Sequence, residues 1–389
     1  MKYPKKLYNI IPLLFGITVA YISFHTTIEM MAFSSLIFLA YFFIQKRSYL
    51  FFFILGYHLM ASYGILFGIF NFYISGYILG FFSWIFVAFI TSLPWILIWS
   101  QNINKRMFLF PLVILSTILP PLGFIDGNDP IVSAGVFFPG MGYIGILLYF
   151  TLLYLIVWFG ICYMSNWKKW IFSIIILLLL ILGNPITRSY NQSNFITPLQ
   201  TEYSFLHCNK KRNIRRQKEL FYKIQKNRAD TFLLPEHIFG TFTEKQMHLW
   251  KRLSPSKTVL AGAYIYTKES KKYNNVLLSI THKGYNILYI QRVPVPLSMW
   301  IPFYQTGANA TITASRLVTF KNKKLGVLIC YEQYLPYIYL QTMWYQPDYL
   351  VAIANLWWSN TPIISKIQKA YLILWSRLFA IPYFYSLNH

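Results

Sequence analysis

Acidic residues and cysteines are both scarce in this sequence of 389 residues. It contains 11 Asp and Glu residues against 35 Lys and Arg residues, which gives a formal net charge of +24, and only 3 cysteines. Three cysteines exclude the multi-bridge disulfide framework of small secreted domains. Charged residues make up 12% of the chain, whereas soluble domains average about 25%. The composition therefore excludes an ordinary soluble protein.

Long apolar runs fill the first half of the chain. Hydrophobic residues account for 56% of the sequence and aromatic residues for 20%. A helix that spans a bilayer needs about 20 predominantly apolar residues. Runs near this length occupy residues 8–24, 30–44, 49–70, 72–100, 107–125, 143–164 and 170–182. We therefore predict a multi-pass α-helical membrane domain of about seven helices over residues 1–183.

The basic residues between these runs predict the orientation of the chain. Short loops that carry Lys and Arg stay on the cytoplasmic side of a membrane. Basic residues precede the first run and follow the second, fourth and sixth runs, at Lys2, Lys5, Lys6, Lys46, Arg47, Lys105, Arg106, Lys168 and Lys169. The alternate loops have none. We therefore predict a bacterial inner-membrane protein with a cytoplasmic N-terminus and, after an odd number of spans, a periplasmic C-terminal domain.

The excess of positive charge has two explanations. The chain is rich in Lys, Ile, Asn, Tyr and Phe, a composition that AT-rich genomes impose on many proteins. In residues 210–226, however, basic side chains surround an apolar stripe of Ile214, Leu220, Phe221 and Ile224, as in an amphipathic helix. Such a helix either covers a domain core or rests on anionic lipid headgroups. No recognition motif accompanies the charge, so we predict no specific nucleic-acid site.

Short apolar blocks replace the long runs in the second half of the chain. Candidate strands lie at residues 231–234, 259–266, 276–280, 285–290, 317–320, 325–329, 349–354 and 383–387. Helical stretches separate several of them, at residues 210–226, 334–345 and 364–379. Strands that alternate with helices indicate an α/β domain. We predict one such domain over residues 190–389, a length that suits a single domain.

Two acidic residues of the second half directly follow apolar strands. Glu236 ends the segment Leu-Leu-Pro-Glu, and Glu332 ends Ile-Cys-Tyr-Glu, which places Cys330 at the end of a strand. Catalytic groups of α/β folds collect at the carboxyl ends of strands. A cysteine becomes a nucleophile when a base removes its proton and fixed donors stabilise the oxyanion. We predict Cys330 as nucleophile and Glu236 as base, against the alternative that Cys330 is an inert core residue.

These segments resemble the carbon–nitrogen hydrolase (nitrilase) superfamily. The segment that ends at Glu236 is similar to the one around that family's glutamate. Residues 326–332 resemble the nucleophile segment of apolipoprotein N-acyltransferases, which join a multi-span membrane half to a periplasmic domain. Asn355, Trp357 and Trp358 fall where that family has a pocket-shaping Asn-x-x-Trp segment. The resemblance implies an αββα sandwich, a Glu, Lys, Cys triad and a thioester intermediate, with no cofactor.

The lysine position departs from this pattern. Gln291 stands where the family has its lysine, and Arg292 follows it. Arg292 could supply positive charge to an oxyanion, but it could not easily donate and retake a proton because a guanidinium stays protonated in proteins. The predicted catalytic residues are Glu236, Arg292 and Cys330. The predicted supporting or pocket residues are Gln291, Tyr331, Glu332, Asn355, Trp357 and Trp358.

Two further expectations concern metal and redox chemistry at this site. His237, beside Glu236, has no His or Cys at ligand spacing, so we predict no metal. An oxidising periplasm could join Cys208 to Cys330, which would silence the thiol.

A second resemblance is narrower. Residues 292–300, Arg-x-Pro-Val-Pro-x-Ser-Met-Trp, and residues 133–140, Ser-Ala-Gly-Val-Phe-Phe-Pro-Gly, look like segments of the TraB conjugal transfer proteins, plasmid-borne relatives of the N-acyltransferases. This resemblance implies a role in conjugation, with conjugation-apparatus proteins and membrane lipid as partners. The acyltransferases continue further, so we expect the α/β domain to be short at its C-terminus. Two functions remain open: acyl transfer or amide hydrolysis through a Cys330 thioester, with a phospholipid or amide as acyl donor, or a catalytically inactive membrane scaffold.

Overall fold

The chain forms two compact units, one helical and one α/β. The computed structural model describes residues 7–389 except 73–75, 126, 166, 187–193, 204–209, 268–270, 297, 302, 313–316 and 360–361. The helical unit comprises Met1–Ser189, Tyr334–Tyr337 and Thr361–Ala380, and the α/β unit comprises Tyr190–Gln333, Ile338–Asn360 and Ile381–His389. The predicted fold class, a helical region followed by an α/β region, is confirmed.

The helical unit has helix in each of the seven apolar runs. Its α-helices before residue 190 are α1 (Leu7–His25), α2 (Leu36–Phe43), α3 (Arg47–Ala61), α4 (Gly64–Phe72), α5 (Tyr77–Leu97), α6 (Ile103–Ile118), α7 (Ala134–Phe137), α8 (Gly142–Tyr163) and α9 (Lys168–Gly183). Among the described residues, α5 and α8 are long and apolar enough to cross a membrane, and α3 with α4 could form a third, bent span. The larger number of spans stays a prediction.

The helix α2 is buried within the helical unit on every side. Each of its 8 residues is at most 3% exposed. Two buried cations bond to carbonyl groups at its C-terminal end: Arg106 Nη1 donates to Phe42 O at 2.6 Å and Lys169 Nζ donates to Phe43 O at 3.4 Å. Cations are favourable there because they meet the negative end of the helix dipole. These bonds satisfy carbonyl groups that a helix end leaves without backbone partners.

The α/β unit is built on two sheets. The strands are β1 (Thr197–Pro198), β2 (Thr231–Leu233), β3 (Thr258–Tyr266), β4 (Lys271–Thr281), β5 (Gly284–Ile290), β6 (Thr306–Ala308), β7 (Val318–Phe320), β8 (Lys323–Ile329), β9 (Tyr349–Asn355) and β10 (Tyr383–Asn388). The first sheet has the order β1-β2-β3-β4-β5, with β6 paired to β4, and the second has the order β10-β9-β8-β7. All eight predicted strands are confirmed, although several begin or end a few residues from the predicted bounds.

Four helices accompany these strands. They are α10 (Lys210–Lys226), α11 (Glu244–Trp250), α12 (Pro336–Trp344) and α13 (Ile363–Phe379). The sequence predicted α10, α12 and α13 but not α11, and it did not predict β1 or β6. Although α13 lies between β9 and β10 in the chain, it groups with the helical unit.

Both faces of the first sheet are buried at β2, whereas β5 is largely exposed. Phe232 of β2 packs in one hydrophobic cluster with side chains of α10 and α11. Because successive strand residues point to opposite faces, Leu233 faces the other way, and it is also fully buried. On the second sheet, Gly326 of β8 lies against Thr342 of α12. Helices therefore cover the sheets from outside, as in the predicted sandwich.

The basic helix α10 covers the core of the α/β unit. Leu220, Phe221 and Ile224 are 3%, 4% and 0% exposed and belong to the hydrophobic cluster beneath the first sheet. Ile214, predicted as part of the same stripe, is 48% exposed and lies outside that cluster. Of the two roles predicted for this helix, the structure shows the cover of a domain core. Leu220, Phe221 and Ile224 are occupied by that packing, and contact of the basic residues with lipid headgroups stays a prediction.

The segment that follows β1 links the first sheet to the second. The backbone N–H of Thr201 donates to the carbonyl of Leu387 in β10 at 3.0 Å. The side chain of Asn388, at the end of β10, accepts from Thr201 Oγ1 at 2.6 Å and donates to Asn355 Oδ1 at 2.8 Å. Residues far apart in the sequence therefore meet at the carboxyl end of β9.

Candidate active site

Cys330 lies where β8 ends and a short 3₁₀ helix, Cys330–Tyr334, begins. Its φ of +48° is left-handed, a conformation that is strained for a residue with a side chain and that clusters at functional sites. Because β8 and β9 are parallel, their carboxyl ends meet at one edge of the sheet, which brings Asn355 to Cys330. The thiol is buried, and within the described residues it forms no disulfide. Cys208, its predicted disulfide partner, lies outside the described residues.

Glu236 reaches the same point from the end of β2 and is 3% exposed. Its Oε1 accepts a hydrogen bond from Asn275 Nδ2 at 2.7 Å, and its Oε2 accepts one from the backbone N–H of Asn355 at 3.0 Å. The thiol of Cys330 provides a further hydrogen bond. Burial raises the pKa of Glu236 to about 7 although these three bonds lower it. A carboxyl group that titrates near neutrality suits a general base.

The surroundings of Cys330 raise the pKa of its thiol and so favour the protonated form. Burial is the largest cause that raises its pKa well above the usual value, followed by the charge of Glu236 and the hydrogen bond between the two side chains. The backbone N–H groups of Asn355 and Tyr331 act in the opposite direction, because they stabilise the thiolate. The thiol proton therefore faces a carboxylate that can accept it, with two fixed donors at the sulfur.

The close approach of Glu236 to β3 depends on Gly262. The backbone N–H of Gly262 donates to the carbonyl of Pro235 at 3.2 Å. A Cβ atom on Gly262 would lie 2.4 Å from Glu236 Cα and 2.6 Å from the backbone nitrogen of His237. These are backbone atoms that no rotamer change can move, so only glycine permits this contact.

We expect Gly262→Ala to slow the reaction of Cys330 with a thiol probe by about 100-fold, because a displacement of about 1 Å in a catalytic group has that effect. The rate constant of labelling, followed by intact mass, measures it. The matched control is Gly183→Ala, since a Cβ at Gly183 would meet nothing within 4 Å. Equal labelling rates in the two variants would contradict the role assigned to Gly262.

Gln291 and Asn275 connect Glu236 to the strand that precedes Cys330. Asn275 Nδ2 donates to Glu236 Oε1 and also to Gln291 Oε1, the latter at 2.9 Å. Gln291 Nε2 donates to the carbonyl of Ile329 at 2.9 Å. The sequence identified Gln291 but missed Asn275, which is the last polar residue before an apolar run in β4. The one sequence signal for Asn275 is that it is a polar residue at a strand position expected to be buried.

Glu332 and Arg292 form a second buried cluster. Their side chains are both 0% exposed, and Arg292 Nε lies 3.8 Å from Glu332 Oε1. Glu332 accepts from the backbone N–H groups of Arg292 at 2.6 Å and Ile329 at 2.8 Å. The guanidinium of Arg292 donates to Tyr289 Oη at 2.8 Å and Thr342 Oγ1 at 2.9 Å. This cluster braces the residue before Cys330; the role of Arg292 as an oxyanion donor stays a prediction.

Aromatic side chains surround the carboxyl ends of the strands. His237 stacks on Tyr264 with ring centroids 3.7 Å apart, and Tyr264 lies 4.4 Å from Tyr273. Burial and, next, the charge of Glu236 raise the pKa of both tyrosines. Trp357 and Trp358 are half-buried in the turn that follows β9. The rings of Tyr264 and Tyr273 therefore lie near Glu236, and a pocket role for Trp357 and Trp358 stays a prediction.

The arrangement is capable of nucleophilic acyl chemistry. A thiol, a carboxyl group that can take its proton, and fixed N–H donors are the components that such a reaction needs. Within the part of the chain that the structure describes, no group of three or more His, Cys, Asp or Glu side chains is placed to hold a metal ion.

Comparison with known proteins identifies relatives along most of the chain. No protein-family model matches it. It is 30% identical over 349 residues to the probable conjugal transfer protein TraB of Sinorhizobium fredii (strain NBRC 101917 / NGR234), an alignment that covers 86% of each chain. It is 27% identical over 367 residues to the conjugal transfer protein TraB of Agrobacterium fabrum (strain C58 / ATCC 33970), covering 86% of this chain and 82% of that one.

Solved structures of carbon–nitrogen hydrolases are similar to part of the chain. The match to an amidase from Nesterenkonia sp. AN1 covers 50% of this chain and 78% of the amidase chain, with a TM-score of 0.37 and 10% identity. The match to a carbon-nitrogen hydrolase from Helicobacter pylori G27 covers 49% of this chain and 73% of the hydrolase chain, with a TM-score of 0.36 and 15% identity. The extent of the match to the Sinorhizobium protein decides the family: the chain belongs to the TraB conjugal transfer proteins.

Proposed function

We propose that this protein is a bacterial inner-membrane conjugal transfer protein whose α/β unit transfers acyl groups or hydrolyses amides through a thioester on Cys330. The observation that carries the proposal is the hydrogen bond between the buried thiol of Cys330 and the carboxyl group of Glu236. Burial raises the pKa of Glu236 to about 7, so both of its protonation states are accessible at neutral pH. That property suits a group that must first accept and then donate a proton.

The reaction then proceeds in two halves. Glu236 takes the thiol proton while Sγ of Cys330 attacks the acyl carbon, and the carbonyl oxygen becomes an oxyanion. As the oxyanion collapses, the bond to the leaving amine or alcohol breaks, and Glu236 returns the proton to that group. Water or an acceptor amine next loses a proton to Glu236 and attacks the thioester, and the released thiolate is reprotonated by Glu236. No external oxidant or reductant is required.

The contacts of Arg292 support a different role for it from direct oxyanion binding. Its guanidinium bonds to Tyr289 and Thr342 and pairs with Glu332. The groups that shift the pKa of Cys330 are Glu236 and the N–H groups of Asn355 and Tyr331. We therefore assign thiolate stabilisation to these two N–H groups and bracing of the site to Arg292.

The substrate proposed for this site is a membrane phospholipid or an amide as acyl donor, in the manner of apolipoprotein N-acyltransferases. The test uses a Cys162→Ala, Cys208→Ala protein, in which Cys330 is the remaining thiol, and a further Cys330→Ala variant as its control. After incubation with a bacterial lipid extract, intact-mass analysis should show an acyl adduct on the first protein and none on the control. The adduct mass identifies the acyl group. Equal masses before and after incubation with both lipids and amides would overturn the enzymatic proposal.

A catalytically inactive scaffold is the second candidate, and Gln291 favours it because no ammonium group stands at that position. The two candidates differ in what plasmid transfer requires. A scaffold tolerates Cys330→Ala and Glu236→Gln but not deletion of the gene, whereas an enzyme loses transfer in all three cases. Mating frequency against a wild-type donor distinguishes them, provided that immunoblots show equal protein levels.

We also propose the orientation indicated by the basic loops, with the N-terminus in the cytoplasm and the α/β unit in the periplasm. Alkaline phosphatase fused after Asn184 should then be active, and green fluorescent protein fused there should be dark. Fusions after Lys46 should give the reverse pattern, because that loop carries basic residues. An inactive alkaline phosphatase fusion and a fluorescent green fluorescent protein fusion after Asn184 would refute the orientation.

A further inference from the structure

A continuous chain of side-chain amides crosses the first sheet and ends beside the nucleophile. It runs from Glu236 through Asn275 and Gln291 to the carbonyl of Ile329, the residue before Cys330. Asn275 is 1% exposed and Gln291 is 0% exposed. The three hydrogen bonds measure 2.7, 2.9 and 2.9 Å. Three strand ends, at β2, β5 and β8, are therefore connected through one residue of β4.

The donors and acceptors along this series of hydrogen bonds fix the direction of each side-chain amide. The carbonyl of Ile329 can only accept a hydrogen bond, so the NH₂ group of Gln291 must face it. The carbonyl of Gln291 then faces Asn275, which must present its NH₂ group. The same NH₂ group supplies the hydrogen atom that Glu236 Oε1 accepts. A flip of either amide would bring two acceptors together, so one backbone carbonyl orients the donor at Glu236.

We propose that Asn275, held in this direction by Gln291, is the positioning residue of the base: it presents a neutral donor to Glu236 in place of a cation. The proposal rests on the proposed function, because it assigns the regulation of the same carboxyl group. An amide stabilises the carboxylate without holding it permanently ionised as a neighbouring ammonium would. The carboxyl group can therefore accept the thiol proton and also return it.

The environment of Glu236 supports this assignment. Among the described residues, the groups that shift the pKa of Glu236 or respond to its charge include Cys330 and Glu332 from the segment after β8, Tyr264 from β3 and Tyr273 from β4. His237 follows Glu236 in the chain and stacks on Tyr264. None of the first four groups, all within the described residues, carries positive charge. The hydrogen bonds that lower the pKa of Glu236 come from two neutral donors, Asn275 and the N–H of Asn355, and from the thiol.

The test is the pH dependence of Cys330 labelling in the full-length protein that lacks Cys162 and Cys208. Asn275→Ala removes a donor to a charged acceptor, so the midpoint of the profile should rise by about one to two pH units. Asn275→Asp should raise it at least as far, because a like charge adjoins the carboxylate. Gln291→Lys should lower it by about one unit or more, because an ammonium favours the ionised form.

Asn274→Ala is the matched control. Asn274 precedes Asn275 on the same strand, so its side chain points to the other face, where its Oδ1 accepts from Asn309 Nδ2 at 2.8 Å. The midpoint of the labelling profile of Asn274→Ala should equal that of the parent protein. Altered labelling rates with an unchanged midpoint in the Asn275 variants would refute the positioning role and leave the thioester mechanism intact.

A second measurement separates failure of this inference from failure of the proposed function. In a Cys330→Ala background, infrared difference spectra can titrate the Glu236 carboxyl band, which is identified by its absence in Glu236→Gln. The same order of midpoints is expected there, with Asn275→Ala above the parent and Gln291→Lys below it. If Cys330 fails to react in the labelling experiment but the infrared midpoints keep this order, only the enzymatic proposal is overturned. If the infrared midpoints are identical in all variants, the inference is overturned.

Discussion

Glu236→Gln is expected to slow the acylation of Cys330 by about 10²–10⁴-fold, the usual contribution of a positioned general base. The amide occupies the same space as the carboxyl group, but it cannot take the thiol proton, and its single oxygen can accept from only one of the two donors, Asn275 Nδ2 and the N–H of Asn355. Reaction would then require the thiol to ionise by itself, and burial raises its pKa well above the usual value. Single-turnover labelling at pH 7.5, followed by mass spectrometry, measures the ratio of the two rates.

The pH profiles of the two proteins should differ in a defined way. In the parent protein the labelling rate should rise through about pH 7, where Glu236 loses its proton, whereas Glu236→Gln should stay slow until the thiol ionises at higher pH. Stability should show the opposite trend. Burial raises the folded-state pKa of Glu236 above its ordinary value of 4.5, so its stabilising effect is present below about pH 4.5 and is lost as the pH rises through about 7. A parent protein whose labelling does not change between pH 6 and pH 8 would contradict the assignment of Glu236.

Glu332→Ala is expected to destabilise the α/β unit by about 3–5 kcal/mol, the effect of removing one partner from a buried ion pair. The loss leaves the guanidinium of Arg292 buried without its carboxylate. It also leaves the N–H groups of Arg292 and Ile329 without the acceptor that they share. Thermal or urea unfolding of the detergent-solubilised protein provides the measurement, with tryptophan fluorescence as the signal.

Glu219→Ala is the control for this experiment, because it removes the same charge from an exposed pair. The side chains of Arg215 and Glu219 are 83% and 54% exposed, and exposed pairs contribute about 0–1 kcal/mol. Equal effects of the two substitutions would show that the buried cluster does not brace the site. A double variant, Arg292→Met with Glu332→Leu, should recover part of the loss, since it leaves neither charge unpaired.

The sequence predicted those parts of the molecule that apolar spacing specifies. The strands that end before Glu236 and Cys330 are runs of apolar residues, so both functional side chains could be located from the residues that precede them. Helix α10 was recognisable because its apolar residues recur at helical spacing. The two-residue strand β1 and the three-residue strand β6 are too short to produce such a pattern.

Asn275 could not be predicted for a different reason. It lies in the polar sequence Lys-Lys-Tyr-Asn-Asn that begins β4, and nothing local distinguishes it from Asn274. Its importance arises from pairing, since the antiparallel register of β3, β4 and β5 sets it between Glu236 and Gln291. The contacts of Arg292 were equally hidden, because Tyr289 and Thr342 come from separate elements.

The bonds of Asn388 also bear on the order in which a newly synthesised chain acquires its reactive thiol. Asn388 holds Asn355 and bonds to Thr201 and Tyr203, which precede it by 187 and 185 residues. A nascent chain that ends before β10 already contains Cys330 and Glu236, but the outer edge of β9 has no partner strand and Asn355 lacks its side-chain anchor. Contacts between such distant residues close a long loop, which costs conformational entropy. Translation of β10 therefore precedes the full set of hydrogen bonds that holds Asn355 beside Glu236 and Cys330.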